Sequence, residues 1–264
     1  MSNLNNKKIV VFDLDETLGY FSQFGAICDC VNNLFNNNKY SYDNFNELLD
    51  LYHQYYLRPK ILDILKYLRK KKEKGECDKI MIYTNNQGPK QWCIHIVDYF
   101  SYKLNNYELF DKIISAFKIN GKQIEPNRTS HEKNMKDFFQ CTKLPQNIEV
   151  CFIDDQYHAG MKNKKVYYIN IKPYINNLSP DEIADIFLKS KISKSFQDKE
   201  KVKYIIINYM KKYRDKITKS DQIILHDVIT KKVFQHIKQF FGDYHNKTLK
   251  NRNYKNRTLK IRNN

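Results

Sequence analysis

Short runs of β-branched and aromatic residues recur along the chain at Lys8–Phe12, Lys79–Tyr83, Lys112–Phe117, Glu149–Ile153 and Lys165–Ile171. Helix-like segments separate them, and alternation of that kind predicts a parallel sheet with crossover helices. In Pro59–Lys74, Ile61, Leu62, Ile64, Leu65 and Leu68 repeat at helical spacing, and Pro59 suits a first helical turn. Trp92, Ile96 and Phe100 form a second apolar stripe after Gly88-Pro89, as a crossover helix requires. Between the first strand and the Pro59 helix lies an insertion, Phe21–Leu57, whose Leu48, Leu49, Tyr52 and Tyr56 share one helical face. Beyond Pro173 the strand signal stops. Ser179-Pro180-Asp181-Glu182 has the N-cap and acidic first turn of a helix start, and helices are expected over roughly Pro180–Lys189, Lys199–Arg214 and Ser220–Phe241. The expected organisation is an α/β core over residues 1–175 with the helical insertion at 21–57, a helical extension over 176–245, and a tail over 246–264.

Composition narrows this picture. No stretch reaches the ~18 consecutive apolar residues of a membrane-spanning helix, and Met1–Lys8 is polar rather than leader-like. Six cysteines are scattered over a chain too long to need disulfide staples, which fits a reducing compartment, cytoplasmic or nuclear, or a host cell if the source is a virus. Cys28 and Cys30 form a lone C-x-C without a second pair, and buried apolar roles suit them better than zinc. The net charge of +17 attracts phosphate-rich or acidic partners, although a bias toward Asn, Lys, Ile and Tyr with only seven Gly also matches AT-rich codon usage. Asn246–Asn264 holds seven Lys or Arg and no acid, so a disordered basic tail is expected, either touching nucleic acid or an acidic protein or simply solubilising.

The chemistry concentrates at strand ends. Ile9-Val10-Val11-Phe12-Asp13-Leu14-Asp15-Glu16-Thr17-Leu18 places two carboxylates two apart where an apolar strand stops. Strand side chains alternate with period two, so Asp13 and Asp15 start on one side, at the carboxyl edge where open α/β sheets bind ligands. Two adjacent acids at a phosphate site need a counter-ion, and a hard cation such as Mg²⁺ fits oxygen ligands. One carboxylate can then attack phosphorus while the other moves protons. The second strand ends in Thr84-Asn85-Asn86, where a hydroxyl and following N–H groups can bind a phosphoryl oxygen. The fourth ends in Asp154-Asp155, a second arm for the metal. Between them, Lys136 is the candidate cation for the transferring phosphoryl group, with Lys133 one turn away.

This order of motifs, D-x-D-x-T, then Thr, then Lys, then Asp-Asp, resembles the haloacid dehalogenase superfamily. More narrowly, Asp13–Leu18, Arg58-Pro59 before the IMIYT strand, and Lys136-Asp137-Phe138 before FIDD resemble the carboxy-terminal-domain phosphatase group, which includes the small and FCP1-like enzymes. The resemblance covers about Lys8–Ile171. It implies a Rossmann-like core, an aspartyl-phosphate on Asp13, acid/base work by Asp15, and phosphoryl binding by Thr84, Asn85 and Lys136. It also implies Mg²⁺ between the Asp13 carboxylate, the Asp15 carbonyl and Asp154 or Asp155. The chain departs from that group at Gly19-Tyr20, where a small apolar residue and His are usual, and at Asn85-Asn86, where Ala-Ser is usual. A phosphorylated protein is the expected substrate. Thr84-Asn85-Asn86-Gln87-Gly88 also resembles the T-N-Q-G stretch of polynucleotide 3′-phosphatases, which would make nucleic-acid end processing the alternative; those enzymes read D-x-D-G-T, with Gly where Glu16 stands. A third reading is an inactive binding module that keeps the fold.

Overall fold

The computed structural model describes residues 7–35, 42–105, 108–213, 220–243 and 259–260. The chain divides into two compact units. The first comprises Met1–Leu18, Lys60–Pro173 and Asp227–Asn264, and the second Gly19–Pro59 with Tyr174–His226.

The first unit is an α/β layer structure around a parallel sheet. Its main strands are β1 (Lys8–Phe12), β2 (Lys79–Tyr83), β3 (Lys112–Ile114), β6 (Glu149–Asp154) and β7 (Val166–Asn170), in the spatial order β3-β2-β1-β6-β7. A two-residue strand, β8 (Leu259–Lys260), pairs parallel with β7. The connections are helical: α3 (Ile61–Glu73) leads into β2, α4 (Lys90–Lys103) follows it, and α5 (Met135–Thr142) precedes β6. β1 and β2 run over the expected residues, whereas β3 stops three residues early. Beyond Ile114 the chain leaves the ladder for a small hairpin, β4 (Lys118–Ile119) and β5 (Lys122–Gln123), whose base is tied by Ile124 N–H to Phe117 O and Glu125 N–H to Ala116 O. Asn120 and Gly121 both adopt positive φ, 49° and 78°, the two-residue turn that Asn-Gly favours.

Strand periodicity sorts the core. Ile9, Val11, Met81, Tyr83, Val150, Phe152 and Tyr168 point to one face and pack with Met135, Phe138 and Cys141 of α5. Burial on that face is essentially complete, and each such side chain contributes about 1.5–3 kcal/mol. Elsewhere in this unit Lys8 Nζ donates to Phe240 O of α8 (Ser220–Phe241), and Tyr67 of α3 packs against Phe234.

The second unit is helical. The insertion folds as α1 (Phe21–Leu34) and α2 (Tyr42–Tyr56), and α6 (Pro180–Leu188) and α7 (Lys199–Met210) join it from later in the chain. Ser179 caps α6 with a reciprocal capping box to Glu182. The linear boundaries expected from the sequence therefore give way to a discontinuous arrangement: the insertion and the segment after Pro173 share one unit, and α8 returns to the first from Asp227 onward. The physical reason lies in Gln23 of α1. Its Nε2 donates to Leu178 O at 3.0 Å and its Oε1 accepts from Leu178 N–H at 2.8 Å, a two-way latch between segments 155 residues apart. The expectation of a disordered tail over Asn246–Asn264 falls outside the described residues, apart from Leu259–Lys260. Among the described residues, no helix is long and apolar enough to cross a membrane, and all six cysteines are buried and free.

Candidate active site

Strand register assembles the site. Phe12 pairs with Ile153 across β1 and β6, and the ladder continues one step as Asp13 N–H donates to Ile153 O at 2.9 Å. Asp13 and Asp154 are therefore neighbours at the carboxyl edge. β1 is also where the sheet order reverses direction, the switch point at which open α/β sheets place their ligands. Asp154 follows Val150 and Phe152 at period two, so it faces the α5 side of the sheet, and Asp155 does not.

The cation on that side is Lys133. Its Nζ lies 2.5 Å from Asp13 Oδ1 and 2.7 Å from Asp154 Oδ2, and its side chain is 2% exposed. Lys136 is not brought to the site; it is exposed on α5. The correction follows from where the helix starts. Asn134 is the N-cap, with Oδ1 accepting from Asp137 N–H at 2.8 Å, so Lys136 sits inside the first turn while Lys133 precedes the cap, outside the helix. The Asn-x-x-Asp spacing carried that signal, since it marks the helix start and leaves Lys133 on the loop side. Behind Lys133, Gly160 approaches so closely that a Cβ there would stand 2.6 Å from Asn134 Cβ and 2.9 Å from Lys133 O.

The other carboxylates are held separately. Asp15 Oδ2 accepts from Asn86 Nδ2 at 2.7 Å. Asp155 Oδ1 accepts from the Thr17 hydroxyl at 3.1 Å, and Thr17 Oγ1 in turn accepts from Asp155 N–H. Asp154 has both oxygens occupied, Oδ2 by Lys133 and Oδ1 by Gln156 N–H. Asp13, Asp154 and Asp155 each offer a carboxylate oxygen within 4.8 Å of the others, an all-oxygen donor set suited to a hard divalent cation. The Asp15 carboxylate is outside that set.

One cation among four acids leaves excess negative charge. Burial pushes Asp13 upward, Asp154 and Asp15 push the same way, and Lys133 only partly opposes them. Asp155 is raised to about 7 by burial and by the charges of Asp13 and Glu16. Asp154 is raised by burial against the pull of Lys133, and Asp15 by burial against its Asn86 bond. Lys133, shared between two carboxylates, is itself raised despite burial. Both members of the ion pair move up: burial raises the carboxylates beyond what the shared lysine offsets, and two carboxylates raise the lysine beyond what burial offsets. Buried His158 adds no settled charge: its Nδ1 lies 3.2 Å from Glu132 Oε2 and its Nε2 3.5 Å from Asp154 Oδ2, but burial and Lys133 lower its pKa.

Thr84 closes the site at the end of β2. It is buried, its N–H donates to Ile114 O, and its Oγ1 accepts from Asn86 N–H at 3.0 Å, leaving the hydroxyl proton to donate. Asn85 differs from expectation. Its side chain turns to Arg128 Nη2 (2.8 Å) and His131 O (2.9 Å), so its amide is committed to structure rather than to a phosphate. Sequence reasoning named Lys133 only as the neighbour of Lys136, gave the side chains of Thr17 and Asn86 no role of their own within their motifs, and did not single out His158 or Arg128. The chain matches no protein-family model, no curated protein and no solved structure.

Proposed function

We propose that the chain is a Mg²⁺-dependent phosphomonoester hydrolase of the haloacid dehalogenase type, working through an aspartyl-phosphate on Asp13. The observation that carries this reading is the grouping of Asp13 with Lys133, Asp154 and Asp155 at the sheet's switch point. An isolated structural ion pair would not need two further acids at ligand distance.

In this reading the Asp13 carboxylate attacks phosphorus and the leaving oxygen takes a proton from Asp15. Asp15 suits that role because burial favours its protonated form. It then removes a proton from the water that hydrolyses the acyl-phosphate. Lys133 and the Thr84 hydroxyl offset charge on the phosphoryl oxygens. Asp13 and Asp155, with Asp154, would hold Mg²⁺, which when bound would supply positive charge to offset that of the phosphoryl oxygens. Asp155 is the better second ligand, since both Asp154 oxygens already accept hydrogen bonds.

A phosphoprotein is the leading substrate class, by resemblance. Nucleic-acid end processing is the second reading, favoured by the +17 charge and the Thr84–Gly88 sequence. The test is hydrolysis of an aryl phosphate by the purified chain with Mg²⁺, repeated with Asp13→Asn. Activity that survives this substitution refutes the nucleophile, and no activity in the unmodified chain favours a binding module. A 3′-phosphorylated oligonucleotide turned over faster than a phosphopeptide moves the substrate to nucleic acid.

A further inference from the structure

Arg128 is 1% exposed and among the largest fully buried side chains in the molecule. Its guanidinium donates to four acceptors. Nη1 reaches Thr84 O at 3.0 Å and Ser115 O at 2.9 Å; Nη2 reaches Asn85 Oδ1 at 2.8 Å and His131 O at 3.0 Å. One face lies 4.8 Å from the Tyr83 ring centroid. None of the four acceptors is a carboxylate. A buried cation without an anionic partner is costly, so a fold that keeps one needs the geometry it enforces.

That geometry joins three pieces of chain that converge only here: the end of β2 at Thr84-Asn85, the point just past β3 where Ser115 leaves the sheet, and the loop that runs into Lys133. His131 O is gripped twice, by Arg128 and by Asn85 Nδ2. From the helix side, buried Asp137 accepts from both the N–H and the hydroxyl of Thr129, at 2.8 and 2.9 Å. The loop is thus fastened at 128, 129, 131 and the Asn134 cap, and Lys133 leaves it already aimed at Asp13 and Asp154. Lysine could not replace Arg128, because one nitrogen cannot span four acceptors on two sides of a planar fork.

We infer that Arg128 is a positioning residue: it sets the spacing between the strand end bearing Thr84 and the loop bearing Lys133, and so holds the two phosphoryl-binding groups in register. Its catalytic consequence rests on the phosphohydrolase reading; the pinning itself does not.

The test uses the full chain and two readouts. In Arg128→Ala, amide hydrogen exchange should quicken together at residues 84–88 and 128–134 while β6 and β7 keep their protection. With an aryl phosphate and Mg²⁺, kcat should fall about 100-fold, the scale of a misplacement near 1 Å, and more than KM changes. Methylguanidinium should recover part of the lost kcat and methylammonium none. If Arg128→Ala does not fold, Arg128→Lys carries the same test, with faster exchange at both segments and a smaller kcat loss. Unchanged kcat in a folded variant, or protection lost evenly across the sheet, overturns the inference. An inactive unmodified chain would sink the phosphohydrolase reading alone, and exchange would still decide whether Arg128 pins the two segments.

Discussion

Two buried polar clusters in this molecule are built on opposite principles. In the helical unit, Gln23 takes both hydrogen bonds of Leu178 and also accepts from Tyr56 Oη at 2.8 Å, while Tyr52 Oη donates to Ile183 O at 2.7 Å. Every group there is neutral and meets a partner of matching kind. At the carboxyl edge of the sheet, Asp13 and Asp154 share one lysine with Asp15 and Asp155 close by, and burial lifts all four pKa values, helped by neighbouring acids at Asp13, Asp154 and Asp155. A saturated neutral cluster holds a fold together by itself, whereas an unbalanced charged one has the charge that the proposed cation site calls for.

The largest expected effect separates the two directly. Asp13→Asn should lower aryl-phosphate turnover by about four orders of magnitude or more, yet should not destabilise the cation-free protein at pH 8, since it removes charge from an overcharged cluster. Gln23→Ala should do the reverse. It strands the N–H and carbonyl of Leu178 and the Tyr56 hydroxyl, costs about 3 kcal/mol in urea unfolding, and leaves kcat per folded molecule unchanged. A destabilised Asp13→Asn would mean that the acids are a structural ion-pair cluster.

Next in size is the pair of lysines. Lys133→Met should cost about 3–5 kcal/mol by leaving Asp13 and Asp154 without their shared cation, and should also impair turnover. Lys136→Met, exposed on α5, should stay within about 0.5 kcal/mol of the unsubstituted chain. Equal effects of the two substitutions would return Lys136 to candidacy.

Those lysines show where sequence legibility ended. β1, β2 and the D-x-D spacing were readable because period-two alternation and strand-end position are local properties. The residues that complete the site depend on non-local register. Asp154 rather than Asp155 meets the lysine because of the face β6 presents, and Asn86 finds Asp15 only because β2 lies beside β1. Arg128 was invisible for the same reason: its four acceptors come from residues 84, 85, 115 and 131. The unit boundary was hidden too, since a glutamine in α1 does not announce a partner 155 residues away.

The charge excess makes a pH prediction with a fixed sign. Asp155 has a folded pKa of about 7 against an ordinary 3.8, raised by burial and by Asp13 and Glu16. A raised folded pKa means that its stabilisation is fully present below about 4 and is lost as pH rises through 7. The cation-free protein should therefore lose a contribution to stability between about pH 4 and 7, and Asp155→Asn should flatten that loss. Divalent cations compete with protons for these carboxylates, so Mg²⁺ affinity by titration calorimetry should rise over the same interval. Affinity independent of pH would place the metal elsewhere.

The smallest effect concerns the turn after the acid pair. Glu16 adopts φ 58°, the left-handed region that a residue with a Cβ enters at about 1–2 kcal/mol. Glycine has no such penalty but loses more chain entropy on folding, about 0.5–1 kcal/mol. Glu16→Gly should therefore stabilise the protein by about 1 kcal/mol or somewhat less, read from the urea midpoint at constant m-value. Removing this carboxylate also removes one of the charges that raise Asp155, so the pH dependence of Mg²⁺ binding should shift to lower pH. Destabilisation on this change would show that the Glu16 side chain contributes more than its backbone costs. A midpoint gain with an unmoved pH profile would separate the turn from the carboxylate cluster three strands' worth of register assembles.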